Sequence, residues 1–316
     1  MAPTRGREGG GARRLRRQQG SGAPLEPRQA RRSEAPRDAL PGRRSLGAVN
    51  RAAADFVAEG LHHVGHSTHL LVLEGIRVLT DPWVTEPADR CLFHEPAPAP
   101  LPTDVDLVLI THAHGDHFDP AALARLDRGA TVIVPEQHLA QAIRGLRFAR
   151  VLVPVDDGPL PFGPIKLRAP EGRHLVPERV FHLESANGAV FFGGDTERTP
   201  QLDAFAAEHR AAFAILPAER STILGKRSVM PPEDARALAD RLQASRCVLT
   251  HHESRASRRH PLGWLVRIDI ARDDELDARF VRPRPGDFVP FPWAETAVAP
   301  ASASTASSSP ASGVAR

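Results

Sequence analysis

Short apolar runs separated by turn residues dominate the middle of the chain. In HLLVLEGIRVLTDP (69–82) two such runs flank Glu74-Gly75, which is a hairpin signal. DVDLVLITH (104–112) is a continuous apolar run of strand length, the pattern of a strand buried on both faces. DPAALARLD (119–127) places Asp119 as an N-cap ahead of Pro120, which predicts a helix start. ATVIVP, ARVLVPV and PIKLRAP read as further strands, and RVFHLESANGAVFFGGDT (179–196) as a second hairpin turning at Asn187-Gly188. AAFAILPA (211–218) reads as a buried strand, PPEDARALADRLQA (231–244) as an amphipathic helix, and RCVLTHH (246–252) as a strand ending in two histidines. Early hairpins followed by alternating strands and helices predict a layered α/β fold with sheets inside and helices outside.

This patterning stops at both ends. Residues 1–50 hold twelve Arg, no Lys and four acids, so the basic character of the chain resides there, and its apolar residues show no period. Such a segment buries too little surface to offset its ordering entropy and reads as a disordered leader. Charge alone suits it to nucleic acid or anionic lipid, and its composition also resembles a transit peptide. Arg43-Arg44 is not followed by an apolar run, which argues against a twin-arginine export signal. Residues 298–316 are an Ala/Ser/Pro tail read as disordered, which leaves 51–297 as one folded domain. No run reaches the roughly 20 apolar residues of a membrane-spanning helix. Cys91 and Cys247 form no CxxC pair and read as free thiols of a reducing compartment. Together these features predict a cytoplasmic protein.

The chemistry concentrates in THAHGDHFD (111–119). Following a strand, His112 and His114 at i and i+2 project to one side of extended backbone. Gly115 permits a sharp bend, after which Asp116 and His117 face a second point. Imidazole and carboxylate suit zinc or another borderline divalent ion, with manganese and iron admitted by the same ligands.

This HxHxDH pattern resembles the signature of the metallo-β-lactamase superfamily. The resemblance implies a single four-layer αββα sandwich and two divalent metal ions. His112, His114 and His174 (from RAPEGRH) would hold the first ion. Asp116, His117 and His251 (from CVLTHHE) would hold the second, and Asp195 (from FFGGDTE) would bridge them. Asp116 would in addition orient the hydroxide that the two ions share. His252 competes with His251, but side chains alternate along a strand, so one of the two faces the metals and His251 is favoured. His182 lies in an alternating stretch and reads as a hairpin side chain. His66 and Asp81 would stand just behind the ligands, a turn residue and a capping carboxylate being their plainer roles.

The opening HHVGHSTHLLVLEGIRVLTDPW and the segment VMPPEDARA are similar to the branch containing ascorbate-6-phosphate lactonases and N-acylphosphatidylethanolamine phospholipase D. Val229 stands where that branch has His, and His252-Glu253 where it has an aromatic residue and Gly. The resemblance implies a hydrolase of a phosphodiester, lactone or related ester, acting on a small or amphiphilic anionic substrate. Arg220, Lys226, Arg227, Arg255, Arg258 and Arg259 are available to bind such an anion. A metallo-nuclease and a di-iron oxidoreductase are the alternatives. Nucleic acid is disfavoured as a partner, with the Arg-rich leader the one feature that leaves it open.

Overall fold

In the computed structural model the strands Thr68–Leu73 and Ile76–Thr80 pair antiparallel with Leu73 opposite Ile76. The loop between them is therefore Glu74 and Gly75 alone, both at positive φ (51° and 72°). This is the mirror-image turn whose twist matches a right-handed hairpin. The strand Gly60–Gly65, absent from the sequence reading, pairs on the other side of Thr68–Leu73. Parallel pairing then adds Leu107–Leu109, Thr131–Ile133 and Arg150–Leu152, and Phe288–Pro290 closes the opposite edge of a seven-stranded sheet. The structure describes residues 58–84, 93–94, 97–256 and 263–297. The Arg-rich leader, the Ala/Ser/Pro tail, Cys91, Arg258 and Arg259 lie outside the described residues.

A second seven-stranded sheet repeats the plan. Leu160–Phe162, Ile165–Arg168, Phe181–Glu184 and Ala189–Phe192 form an antiparallel meander. Phe213–Leu216, Arg246–Leu249 and Phe280–Val281 extend it in parallel. The hairpin read at Asn187-Gly188 is present, with Glu184 paired to Ala189 across the loop 185–188.

Alternation along each strand sorts the side chains into layers. Leu71, Leu73, Leu107 and Leu109 point from the first sheet to Phe181, Phe192, Phe213 and Ile215 of the second, forming the central core. Val72, Leu79 and Val108 point outward to Leu123, Leu126 and Leu139. Phe191, Ala214 and Leu249 point outward on the other side, beneath the helices Pro200–Glu208 and Pro232–Leu242. Both faces of both sheets are covered, which is the expected order of helix, sheet, sheet, helix. Each fully buried Leu or Phe stabilises this arrangement by about 1.5–3 kcal/mol.

The helix Pro232–Leu242 buries Ala235, Leu238, Ala239 and Leu242, the i, i+3, i+4, i+7 stripe of an amphipathic helix. Gln243 ends it at φ 58°, returning its N–H to Ala239 and Asp240 carbonyls. Asp119 accepts from the Ala121 N–H at 2.8 Å and Pro120 opens the helix as expected, but that helix stops after one turn at Leu123.

Candidate metal centre

The strands Ile76–Thr80, Leu107–Leu109, Ala189–Phe192 and Arg246–Leu249 are followed by Asp81, His112, Asp195 and His251, so both sheets deliver polar side chains from the ends of buried strands. After Leu109 the backbone leaves the strand. The His117 and Phe118 N–H groups return to the His114 carbonyl at 3.0 and 2.8 Å, a tight turn that brings His117 back beside His112. Gly115 does not make this bend by left-handed backbone. A Cβ there would meet nothing within 4 Å, and the residue lies at the wall of the cleft beside the histidines.

Three ring nitrogens converge first. His114 Nδ1 is 3.0 Å from His112 Nε2 and 3.0 Å from His174 Nε2. His174 Nδ1 donates to the Ser228 carbonyl at 2.6 Å, which fixes its proton there and leaves the Nε2 lone pair facing the other two rings. Burial lowers the basicity of all three rings, His112 most, so they stay neutral as metal ligation requires.

A second cluster adjoins it. His66, His117 and His251 offer nitrogens within 4.8 Å of one another, as do the donor atoms of His112, His117 and Asp195. Asp195 Oδ1 is 3.2 Å from His251 Nε2 and 3.3 Å from His117 Nε2, and Asp195 Oδ2 is 4.0 Å from His174 Nε2. It thus reaches both clusters. His117 Nδ1 donates to Asp81 at 2.7 Å, and Asp81 also accepts from the Thr111 N–H and hydroxyl, each at 2.7 Å. Buried His117 Nε2 and Asp195 Oδ1 approach without meeting in hydrogen-bond geometry. Buried polar atoms need a partner, and a cation between the clusters would supply one. The donor set of imidazoles and carboxylate fits a borderline divalent ion.

Charge follows the same geometry. Burial works against the ionised form of Asp195, yet His117 and His251 hold its carboxyl well below the usual range. Burial likewise opposes a charged His117, but Asp195 and Asp81 outweigh it and raise its affinity for a proton. Asp116, expected as a ligand of the second ion, has Oδ2 3.2 Å from His66 Nε2. Burial resists its ionisation, and the adjacent His66 ring, then His117, overcomes that and keeps it a carboxylate.

Of the two late histidines, His251 stands in the cluster and His252 turns away, donating from Nδ1 to the Leu249 carbonyl at 2.9 Å. Strand alternation is not what separates them, because the strand ends at Leu249 and His251 sits in a turn at φ 56°. His66 (54°) and Asp81 (33°) also hold left-handed backbone. Each such non-glycine residue costs about 1–3 kcal/mol, and this kind of strain collects at functional sites. His182 is buried in its hairpin and donates from Nε2 to the Arg210 carbonyl.

Several residues of the site carry no local sequence signal. Ser67 Oγ meets His251 Nε2 at 2.8 Å, and Glu219 Oε1 lies 3.5 Å from His251 Nδ1 while its other oxygen is bonded to Ser221. Glu178 is buried against His112 Nδ1 at 3.5 Å and accepts the Asp195 N–H at 2.8 Å. Burial, then Asp195, pushes the Glu178 carboxyl up. Cys247 is a buried free thiol pushed up to about 12 by desolvation, far from the range of a thiolate nucleophile.

The clusters open into a cleft of about 290 Å³. Its walls are Leu175, Ile223 and Ile268 with the hydroxyls of Ser221, Ser228 and Ser254, and its acids are Asp116, Asp195 and Glu219. Among the described residues no Lys or Arg lines it. Arg220 is instead held by Glu275 at 2.7 Å and Glu233 at 2.8 Å, and Lys226 and Arg227 stand exposed outside.

The model of the beta-lactamase superfamily domain matches residues 76–252, more than half of the sequence. The chain belongs to the beta-lactamase superfamily. A UPF0173 metal-dependent hydrolase from Pyrobaculum neutrophilum is 26% identical over 200 residues, covering 60% of this chain and 82% of the relative. Isothiocyanate hydrolase from Delia radicum gut bacteria matches in structure with a TM-score of 0.60 at 18% identity, over 73% of this chain and 98% of that one. A metallo hydrolase from Ignicoccus hospitalis matches with a TM-score of 0.54 at 22% identity, over 72% of this chain and 96% of that one. At these identities the two structures establish the fold.

Proposed function

We propose that this protein is a two-metal hydrolase that directs an activated water against the carbonyl of an ester or lactone. The observation that carries this reading is Asp195, whose two oxygens reach His117 and His251 on one side and His174 on the other. His112, His114 and His174 would hold one ion, and His117 and His251 the other, with His66 and Asp116 beside it. Two divalent ions there, zinc first and manganese or iron by the same donors, supply Lewis acidity and lower the pKa of water from 15.7 towards about 7. Asp81 and the Ser228 carbonyl hold the His117 and His174 rings in the tautomer that presents Nε2. Asp116 lies at the cleft wall as a carboxylate able to accept a hydrogen bond from water and orient it. The relatives named as metal-dependent hydrolases support the class.

The lining favours a carbonyl substrate over a phosphodiester or nucleic acid. The walls are apolar and hydroxylic, and the only charged groups among the described lining residues are acids. An extended polyanion gains nothing from such walls. The test measures metal content and then catalytic efficiency on an aliphatic lactone, an aryl phosphodiester and a β-lactam under one metal loading. We expect close to two equivalents of metal and the lactone ahead. Full activity in metal-free protein overturns the proposal.

A further inference from the structure

The small sheet at the mouth of the cleft presents exposed apolar side chains at its tip. Thr222–Ile223 and Lys226–Arg227 pair as a two-residue hairpin whose loop is Leu224-Gly225, with φ of 54° and 75°. Asn or Asp followed by Gly is the ordinary occupant of that turn, and a leucine there is strained. Leu224 is also 67% exposed. The position therefore carries a backbone cost and an exposure cost with no burial in return. The Leu224 N–H bonds to the Leu265 carbonyl at 3.0 Å, which sets Leu265 and Trp264 beside it, and Trp264 is 78% exposed. Three of the six large apolar side chains exposed among the described residues thus share one tip, whereas scattered single ones are normal.

The charge around this tip is positive. Lys226 and Arg227 are exposed and make no ion pair among the described residues, and Arg267, opposite Thr222, is exposed with Asp269 no closer than 3.7 Å. The same segments wall the cleft, since Ile223 precedes Leu224 and Ile268 follows Arg267.

We propose that this tip docks the protein on an anionic lipid surface, with the mouth of the cleft turned towards the lipid. An exposed Trp and two Leu suit the boundary between headgroups and acyl chains, and flanking Lys and Arg suit anionic headgroups. A second copy of the chain fits less well, because self-pairing about this tip sets Lys226 and Arg227 against their own counterparts. An amphiphilic substrate would then pass from the surface along Ile223 and Ile268 into the site. That last step rests on the hydrolase reading, while the docking does not.

The test is sedimentation of the full-length, metal-loaded protein with vesicles of phosphatidylcholine alone and of phosphatidylcholine with about one-third phosphatidylserine. Binding to the anionic vesicles is expected, weakened by salt, and at least tenfold weaker in the double variant Leu224→Ser, Trp264→Ser. Both positions are exposed, so that variant keeps the wild-type melting temperature. Trp83 and Trp293 are packed into the protein, so a blue shift of tryptophan emission on binding reports Trp264 and disappears in Trp264→Phe, which still binds. Binding that the double variant leaves intact would assign the affinity to the Arg-rich leader and overturn the proposal. So would absence of binding at low salt, or a wild-type dimer that the double variant dissociates in vesicle-free solution. No arm requires turnover, so loss of the hydrolase reading would leave the result standing.

Discussion

Asp81→Asn separates the role of a buried hydrogen bond from that of the ligands themselves. Asp81 is fully buried and accepts three hydrogen bonds at 2.7 Å, two from Thr111 and one from His117 Nδ1. Asparagine keeps the shape and keeps an acceptor for the Thr111 N–H. Its amide nitrogen, however, faces His117 Nδ1, and two donors cannot share that contact. The imidazole must shift its proton to Nε2, the atom turned towards Asp195, and so withdraw it from any metal. Losing one charge-assisted hydrogen bond costs about 1.5–3 kcal/mol. Loss of such a partner behind a metal ligand lowers affinity by about 10–100-fold, or ~1.4–2.7 kcal/mol, so the two routes agree. Zinc affinity is measured by competition with a chelator of known strength, and denaturant melts of the metal-free proteins separate lost affinity from lost stability. A variant that binds zinc within twofold of wild type refutes the assignment of Asp81.

Gly194→Ala should lower the denaturation midpoint and the metal affinity together. Gly194 holds φ +55°, and a Cβ there would lie 2.7 Å from Glu178 Oε1 and 2.8 Å from Thr111 Cγ2, for a cost of about 1–3 kcal/mol before any crowding is relieved. An unchanged midpoint would mean that the turn carrying Asp195 is looser than its contacts imply. His251→Ala should lower the metal stoichiometry in elemental analysis while His252→Ala leaves it at the wild-type value, and the opposite pattern would reverse their roles.

Much of this architecture is written locally. The two-residue loop at Glu74-Gly75, the apolar run 107–112 and the stripe of Pro232–Leu242 depend on neighbours in sequence, and so does the grouping of His112, His114 and His117. The helix Pro200–Glu208 had a local signal too, since Thr199 caps it, accepting the Leu202 N–H at 3.1 Å, and Pro200 opens it. The strand Gly60–Gly65 is masked because its polar His62 and His63 interrupt the apolar pattern, although His63 is buried against His69. Glu178, Glu219, Ser67 and Ser228 acquire their places only through contacts between segments far apart in sequence, such as the 184 positions between Ser67 and His251. His66 reads as a turn residue from the sequence, and only the folded chain stacks its ring on His251, with centroids 4.1 Å apart.

The donors around Asp195 come from two layers whose central contact is made by oily side chains. His66, His112, His114 and His117 follow strands of one sheet, while Asp195 and His251 follow strands of the other. An ion held between them is a rivet across the seam, and its binding energy is also energy that keeps the layers shut. At a thousandfold excess over its dissociation constant that rivet adds about 4.1 kcal/mol, a large share of the stability of an ordinary domain. Scarcity of metal would therefore do more than silence the chemistry. It would loosen the sandwich along its central plane and expose the aromatic interior that Phe181, Phe192 and Phe213 now fill.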